Sequence, residues 1–331
     1  MSNGCRQGAV LSAIAYCYYC QELFTLLRRR RSGLWINGDY RGIVGYSDDN
    51  VLCAPSIDGL QDMLRTCEEF ATSHNLKFST NPTNPQKSKT KCLAYLSKNR
   101  QLPSMKLCGN KLPWVKEGKH LGCVLENKIN GMAKDIKIKR AQYIQKNCEI
   151  LQEFSFAHPM TKLKVYQIFN SHFYGSPLLD LFSRECNMLE KSYNVSVRRM
   201  FDLPRETKSY FIEGLTDTPH LRSVLVKRFL KFVDKLKQSV KTRKMFNLIK
   251  HDVRSVTGRN LINIMNLINK DSIDTLVYSD ADSIVYQETP ENSDWKICLV
   301  NEITDIEFGQ CYLDSFKRKE LNVILRNICV T

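Results

Sequence analysis

Apolar residues recur at helical spacing from Ala9 to Leu27, with Val10, Leu11, Ile14, Tyr18 and Leu26 on roughly one face, and this pattern predicts a first helix. Arg28 to Arg31 and then Gly33 close it, because cations meet the negative end of the helix dipole and glycine permits a left-handed cap. The period then shortens. The run LWINGDYRGIVGYSDDNVLCAPS reads as short strands folded at Asn37-Gly38, a dipeptide suited to a type I′ turn, and again at Ser47-Asp48-Asp49. Ser56 is placed as the N-cap of a helix to about His74, with Leu60, Leu64, Cys67 and Phe70 along one side. Residues 79–92, STNPTNPQKSKTKC, form a loop punctuated by Pro and Asn and ending in lysines.

After Gly131 the pattern becomes helical throughout. Ile136, Tyr143, Ile144, Cys148 and Leu151 make one apolar stripe, with Lys137, Lys139, Arg140 and Lys146 largely off it. Pro159 suits the first turn of a further helix carrying Leu163, Tyr166, Phe169 and Phe173, which Gly175 and Pro177 end. A mixed α+β first part is thus followed by a helical second part. No internal repeat or low-complexity tract interrupts them.

Composition narrows the functional classes. A chain of 331 residues, 43% of them hydrophobic, is long enough to bury one large core or two smaller ones. Its formal charge of +15 favours a polyanionic partner, either nucleic acid or an anionic membrane surface. No apolar run is long enough to span a bilayer, and the first residues lack the order of a secretory signal. The expected setting is intracellular, nucleus or cytoplasm, and not secreted. Thirteen scattered cysteines agree with reduced thiols. Cys17 and Cys20 form the one C-x-x-C, inside a helical pattern and with no second pair at zinc spacing, so they read as core or surface cysteines.

Charge is uneven along the C-terminal third. Residues 221–259 hold twelve Lys or Arg against Asp234 and Asp252, whereas residues 271–310 hold ten Asp or Glu against Lys296 alone. Lysines such as Lys227, Lys231 and Lys235 suit either a solvated helix face or a contact with nucleic acid. The acidic stretch either packs on the basic one or forms a separate surface.

The chemistry concentrates at Asp48 and Asp49. Turn carboxylates are common, since Asp bonds its own backbone there. Set between two strands, however, the pair would project neighbouring carboxylates from one rigid edge, and hard cations such as Mg²⁺ prefer oxygen ligands. Such a site suits phosphoryl transfer by two metal ions.

Tyr46-Ser47-Asp48-Asp49 resembles the Tyr-x-Asp-Asp turn of reverse transcriptases, and the ordered motifs around it resemble those of non-long-terminal-repeat (LINE-type) retrotransposons. Upstream, GCRQGAVLS (4–12) resembles the family's Gly-x-x-Gln-Gly segment, which leads into the helix beneath the nucleotide pocket. Downstream, HNLKFSTNPTNPQKSKTKC (74–92) resembles the loop whose lysine lies near the incoming triphosphate, and GKHLGCVL (118–125) resembles the hairpin that grips the primer end. The resemblance implies that Asp48 and Asp49 are catalytic carboxylates and metal ligands for Mg²⁺ or Mn²⁺, Asp48 being the more direct ligand. It implies that Gln7, Gly8 and Tyr46 shape the nucleotide and template pocket. Lys87 or Lys89 would meet the triphosphate, and Leu121 and Gly122 would sit in the primer grip. The implied partners are an RNA template, a DNA primer and deoxynucleoside triphosphates, with no membrane.

The expected fold class is therefore α+β. Residues 1–126 would form a partial polymerase palm, an antiparallel sheet with helices; 127–220 a mostly α-helical thumb-like region, including LEKSYNVSVRRMFDLPRETKSY (189–210); and 221–331 a helical C-terminal extension. In the family another metal-binding Asp precedes the Gly-x-x-Gln-Gly segment, and this chain opens at that segment. Met1 thus reads as an internal start in a longer parent, and assembly with an upstream segment is expected. Three readings stand: an RNA-directed DNA polymerase fragment, a catalytically inactive nucleic-acid-binding remnant, and a decayed reading frame.

Overall fold

The computed structural model describes residues 11–95, 101–128, 132–170, 173–205, 207, 212, 220–277 and 279–280. The chain divides into two compact units, Met1–Gly118 and Lys119–Thr331. Helices and small sheets are mixed, and no helix among the described residues is long and apolar enough to cross a membrane.

The first unit opens with α1 (Ser12–Arg29). Its buried face is Cys20, Leu23 and Leu27, and Leu11, Ile14 and Tyr18 are exposed. This corrects the expected stripe. The helix is apolar on more than one side, so spacing alone does not choose which side meets α2 (Ile57–Ser73). The helix also ends differently from the expectation, with the first left-handed residue after it being Arg31 (φ 54°), two residues before Gly33, which also has positive φ. Ser56 caps α2 as expected, its hydroxyl accepting from Gly59 N at 3.1 Å. Leu64, Cys67 and Phe70 are buried from α2, with Leu60 packed at the margin. Tyr19 of α1 donates to the carbonyl of His74 at 2.7 Å, while the His74 ring stacks on Phe70, so the end of α2 is fastened to α1.

Between these helices lie two hairpins. Strands β1 (Trp35–Ile36) and β2 (Asp39–Tyr40) turn at Asn37-Gly38, both with positive φ, the type I′ signature. Strands β3 (Ile43–Tyr46) and β4 (Asp49–Leu52) pair antiparallel from Ile43 with Leu52 to Tyr46 with Asp49. Backbone bonds of Leu34 N to Cys53 O and Cys53 N to Gly42 O join the two hairpins at their bases.

After α2 a short 3-10 turn, Pro85–Lys87, leads to β5 (Cys92–Leu93), which pairs parallel with β8 (Trp114–Val115). A hairpin of β6 (Met105–Leu107) and β7 (Asn110–Leu112) turns at Cys108-Gly109. Gln61 of α2 clamps the backbone of Lys106, donating to its carbonyl and accepting from its N–H, each at 3.0 Å. The described residues hold two-stranded pairs, one of them parallel, where a single antiparallel sheet was expected. The core of this unit is Leu23, Leu27, Met63, Leu64, Phe70 and the inward residues of β5 to β7.

The division between the units falls within β9 (Glu117–His120), which pairs with β10 (Cys123–Glu126). Among its described residues the second unit is otherwise helical: α3 (Ala133–Glu153), α4 (Pro159–Asn170), α5 (Arg184–Met200), α6 (Leu221–Gln238), α7 (Val240–Ile249) and α8 (Val256–Leu267). In α3 the buried line is Ile136, Tyr143, Asn147 and Ile150, and the expected Ile144 and Cys148 are exposed. The shift has a polar cause. Asn147 donates to Ser196 Oγ of α5 at 2.6 Å and Arg140 Nε to Ser192 Oγ at 2.7 Å, so hydrogen bonds rotate α3 onto a partly polar seam. Tyr143 and Tyr166 close that seam, hydroxyl to hydroxyl at 2.9 Å. On α4, Leu163 and Tyr166 are buried but Phe169 is exposed.

The basic 221–259 stretch is partly neutralised. Arg222 meets Glu190, Lys250 meets Asp274 of the acidic stretch at 2.8 Å, and Arg259 meets Asp180. The rest of the acidic stretch lies mostly outside the described residues.

Candidate active site

The hairpin carrying Asp48 and Asp49 has a face that packs partly on the core and a barer one, because side chains alternate along each strand. Ile43, Gly45, Asn50 and Leu52 fall on one face by register, with Ile43 and Leu52 packed against the core. Val44, Tyr46, Asp49 and Val51 fall on the other, where Val44 and Tyr46 are exposed. The turn is Ser47-Asp48, with Ser47 at φ 54°, and Asp49 opens β4. Both carboxylates are exposed.

Helix α1 supports the hairpin from below. A β-carbon on Gly45 would stand 2.6 Å from the Phe24 ring, so only glycine lets strand and helix approach this closely. Tyr16, eight residues before Phe24, lies within the field of Asp48. Burial, a hydrogen bond with Cys20 and the Asp48 charge together raise its phenol above the usual value. Neither Tyr16 nor Phe24 was singled out from sequence. The glycine inside a strand was the available signal for Phe24.

Lys87 and Lys89 are exposed on a loop that is firmly tied down. Asn84 caps the 3-10 turn by accepting from Gln86 N, Ser88 and Thr90 donate to the Ser79 carbonyl, and Asn110 donates to Thr80. The bonding of small polar residues leaves Lys87 and Lys89, together with Lys91, as projecting charges of the loop. Leu121 and Gly122 belong to the second unit, where they form the turn of β9 and β10 with φ 46° and 78°, again type I′. Gln7 and Gly8 lie outside the described residues.

Asp48 and Asp49 are oxygen donors of the kind Mg²⁺ or Mn²⁺ prefers. Among the described residues they are not part of a group of three or more His, Cys, Asp or Glu suited to a metal ion. Among the described residues the cysteines join no such group either. Cys20 is buried in α1, and burial pushes the Cys67 and Cys186 thiols up to about 12 and Cys92 to about 11, which keeps them protonated at neutral pH.

Residues 1–125 match the family described as reverse transcriptase (RNA-dependent DNA polymerase). The match spans less than half of the chain and contains Asp48, Asp49, Tyr46, Lys87 and Lys89. It ends inside β10, just after the Leu121-Gly122 turn. No curated protein matches the chain.

Proposed function

We propose that the chain is the palm and thumb portion of an RNA-directed DNA polymerase from a LINE-type retrotransposon. The palm would be residues 1–126, the thumb-like region 127–220 and an extension 221–331. The observation that carries this reading is the exposed Asp48-Asp49 pair at the end of a two-stranded hairpin, braced by α1, within the span that matches reverse transcriptases. In this reading Asp48 and Asp49 hold a divalent cation, which when bound supplies positive charge for the attacking 3′-hydroxyl and the departing pyrophosphate. Lys87 or Lys89 offers charge to the triphosphate, and the Leu121-Gly122 turn orients the primer end.

A second reading is favoured by the formal charge of +15: the chain binds nucleic acid without extending it. Primer extension with Mg²⁺ and four nucleotides separates the two, run beside the Asp48→Ala variant and a salt titration of duplex binding. Because Asp48 is exposed, its replacement should change stability by no more than about 0.5 kcal/mol. Extension that is lost in the variant supports the polymerase. Salt-dependent binding with no extension by either protein supports the remnant. Binding that ignores salt counts against both.

A further inference from the structure

Beyond the matched span, the second unit lays one segment directly on the β9–β10 turn. A β-carbon on Gly122 would stand 3.2 and 3.5 Å from Cε1 and Cδ1 of Tyr174. The next residue, Gly175, is left-handed at φ 73°, and a β-carbon there would stand 2.5 Å from Cys123 Sγ. Successive residues of one segment therefore press on successive residues of the hairpin, and each contact depends on a glycine. Phe173, just before them, is buried in the aromatic cluster with Tyr143. The backbone around Tyr174 is held from both sides.

The Tyr174 side chain nevertheless remains 64% exposed. A tyrosine that merely sealed the turn would be covered by it. Here the ring rests on glycine by one edge and offers most of its surface to solvent. An exposed lysine stands on the same hairpin, Lys119 in β9, two residues before the turn. A solvent-facing aromatic ring resting against a hairpin that also carries an exposed cation is the chemistry that recognises a nucleic-acid strand, in which bases stack and phosphates meet positive charge. Fixing the backbone on either side of the ring removes part of the entropy cost of stacking.

We propose that Tyr174 is a positioning residue, a stacking platform for a base of the strand that passes the Leu121-Gly122 turn. The inference rests on the reading of this chain as a binder of primer and template. It adds a contact from outside the matched span and gives the turn a specific task, fixing one nucleotide by its face.

The test uses the full chain and a primer–template duplex with 2-aminopurine at successive positions near the primer 3′ end. Quenching should peak at one position in the wild type and in Tyr174→Phe, which keeps the ring. Tyr174→Ala should lose that quenching and bind about 5- to 150-fold more weakly, the range expected for one stacked base. Phe156→Ala removes another exposed aromatic of the same unit and should change neither readout. Thermal unfolding of each variant checks that the fold is kept, and photocrosslinking of a 5-iodouracil primer to Tyr174 in the wild type reads the contact without substitution. Unchanged binding and quenching in Tyr174→Ala overturns this inference alone, as does a Phe variant as weak as the Ala variant. A wild-type chain that binds no duplex overturns the underlying reading together with it.

Discussion

The Phe24 ring on α1 occupies the space that a side chain on Gly45 of β3 would need, leaving 2.6 Å to the position of a β-carbon. This contact sets the height of the Asp48-Asp49 hairpin over the helix. Gly45→Ala should therefore destabilise the chain by about 1–3 kcal/mol through overpacking. Combining it with Phe24→Leu should recover part of the loss, since the two changes share one contact. Urea unfolding of the two single variants and the double variant measures both effects. Additive losses would show that the contact does not limit the approach.

Asn260 is fully buried on α8 and clamps the segment before α5. It donates to the Leu179 carbonyl at 2.8 Å and accepts from Leu181 N at 3.0 Å. Asn260→Ala leaves both backbone groups buried without that partner, at a cost of about 2–4 kcal/mol. Asn260→Asp keeps an acceptor but loses the donor and should not rescue. Chemical denaturation decides, and a loss below about 1 kcal/mol would mean that water replaces the amide.

Glu190 joins α5 to the start of α6 by meeting His220 at 2.9 Å and Arg222 at 2.6 Å. Burial alone would raise its carboxyl, but the hydrogen bonds and charges of His220 and Arg222 outweigh burial and hold it below the ordinary 4.5. The folded state therefore favours the ionised form. Its stabilising contribution is full above the unfolded-state value and is lost as pH falls through the lower folded one. Unfolding free energy measured downward from about pH 6 should fall more steeply below that value in the wild type than in Glu190→Gln. The variant should already be weaker at neutral pH, because Arg222 is left half-buried without its carboxylate. Parallel pH profiles would remove Glu190 from the account.

Local signals read true where the physics is local. Ser56 caps α2 because a hydroxyl one residue before a helix can reach the N–H three residues on. Asn37-Gly38 turns a hairpin because both residues tolerate positive φ. The turns at Cys108-Gly109 and Leu121-Gly122 adopt the same signs of φ, but their first residues announce nothing. The flanking strands and their pairing impose the left-handed conformation there.

The sequence by itself determined the mixed first part, the helical second part and the hairpin that presents Asp48 and Asp49. Each follows from spacing within a few residues. Only the tertiary structure decided which side of α1 is buried, because Leu11, Ile14 and Tyr18 are as apolar as Cys20, Leu23 and Leu27 and the choice belongs to the partner helix. The same holds for the polar seam of α3, where Asn147 is buried through a bond to Ser196, 49 residues away. It holds too for Tyr174, whose place over Gly122 depends on the chain returning to the hairpin after two helices. Periodicity records which residues avoid water, whereas packing between distant segments selects the neighbours that exclude it.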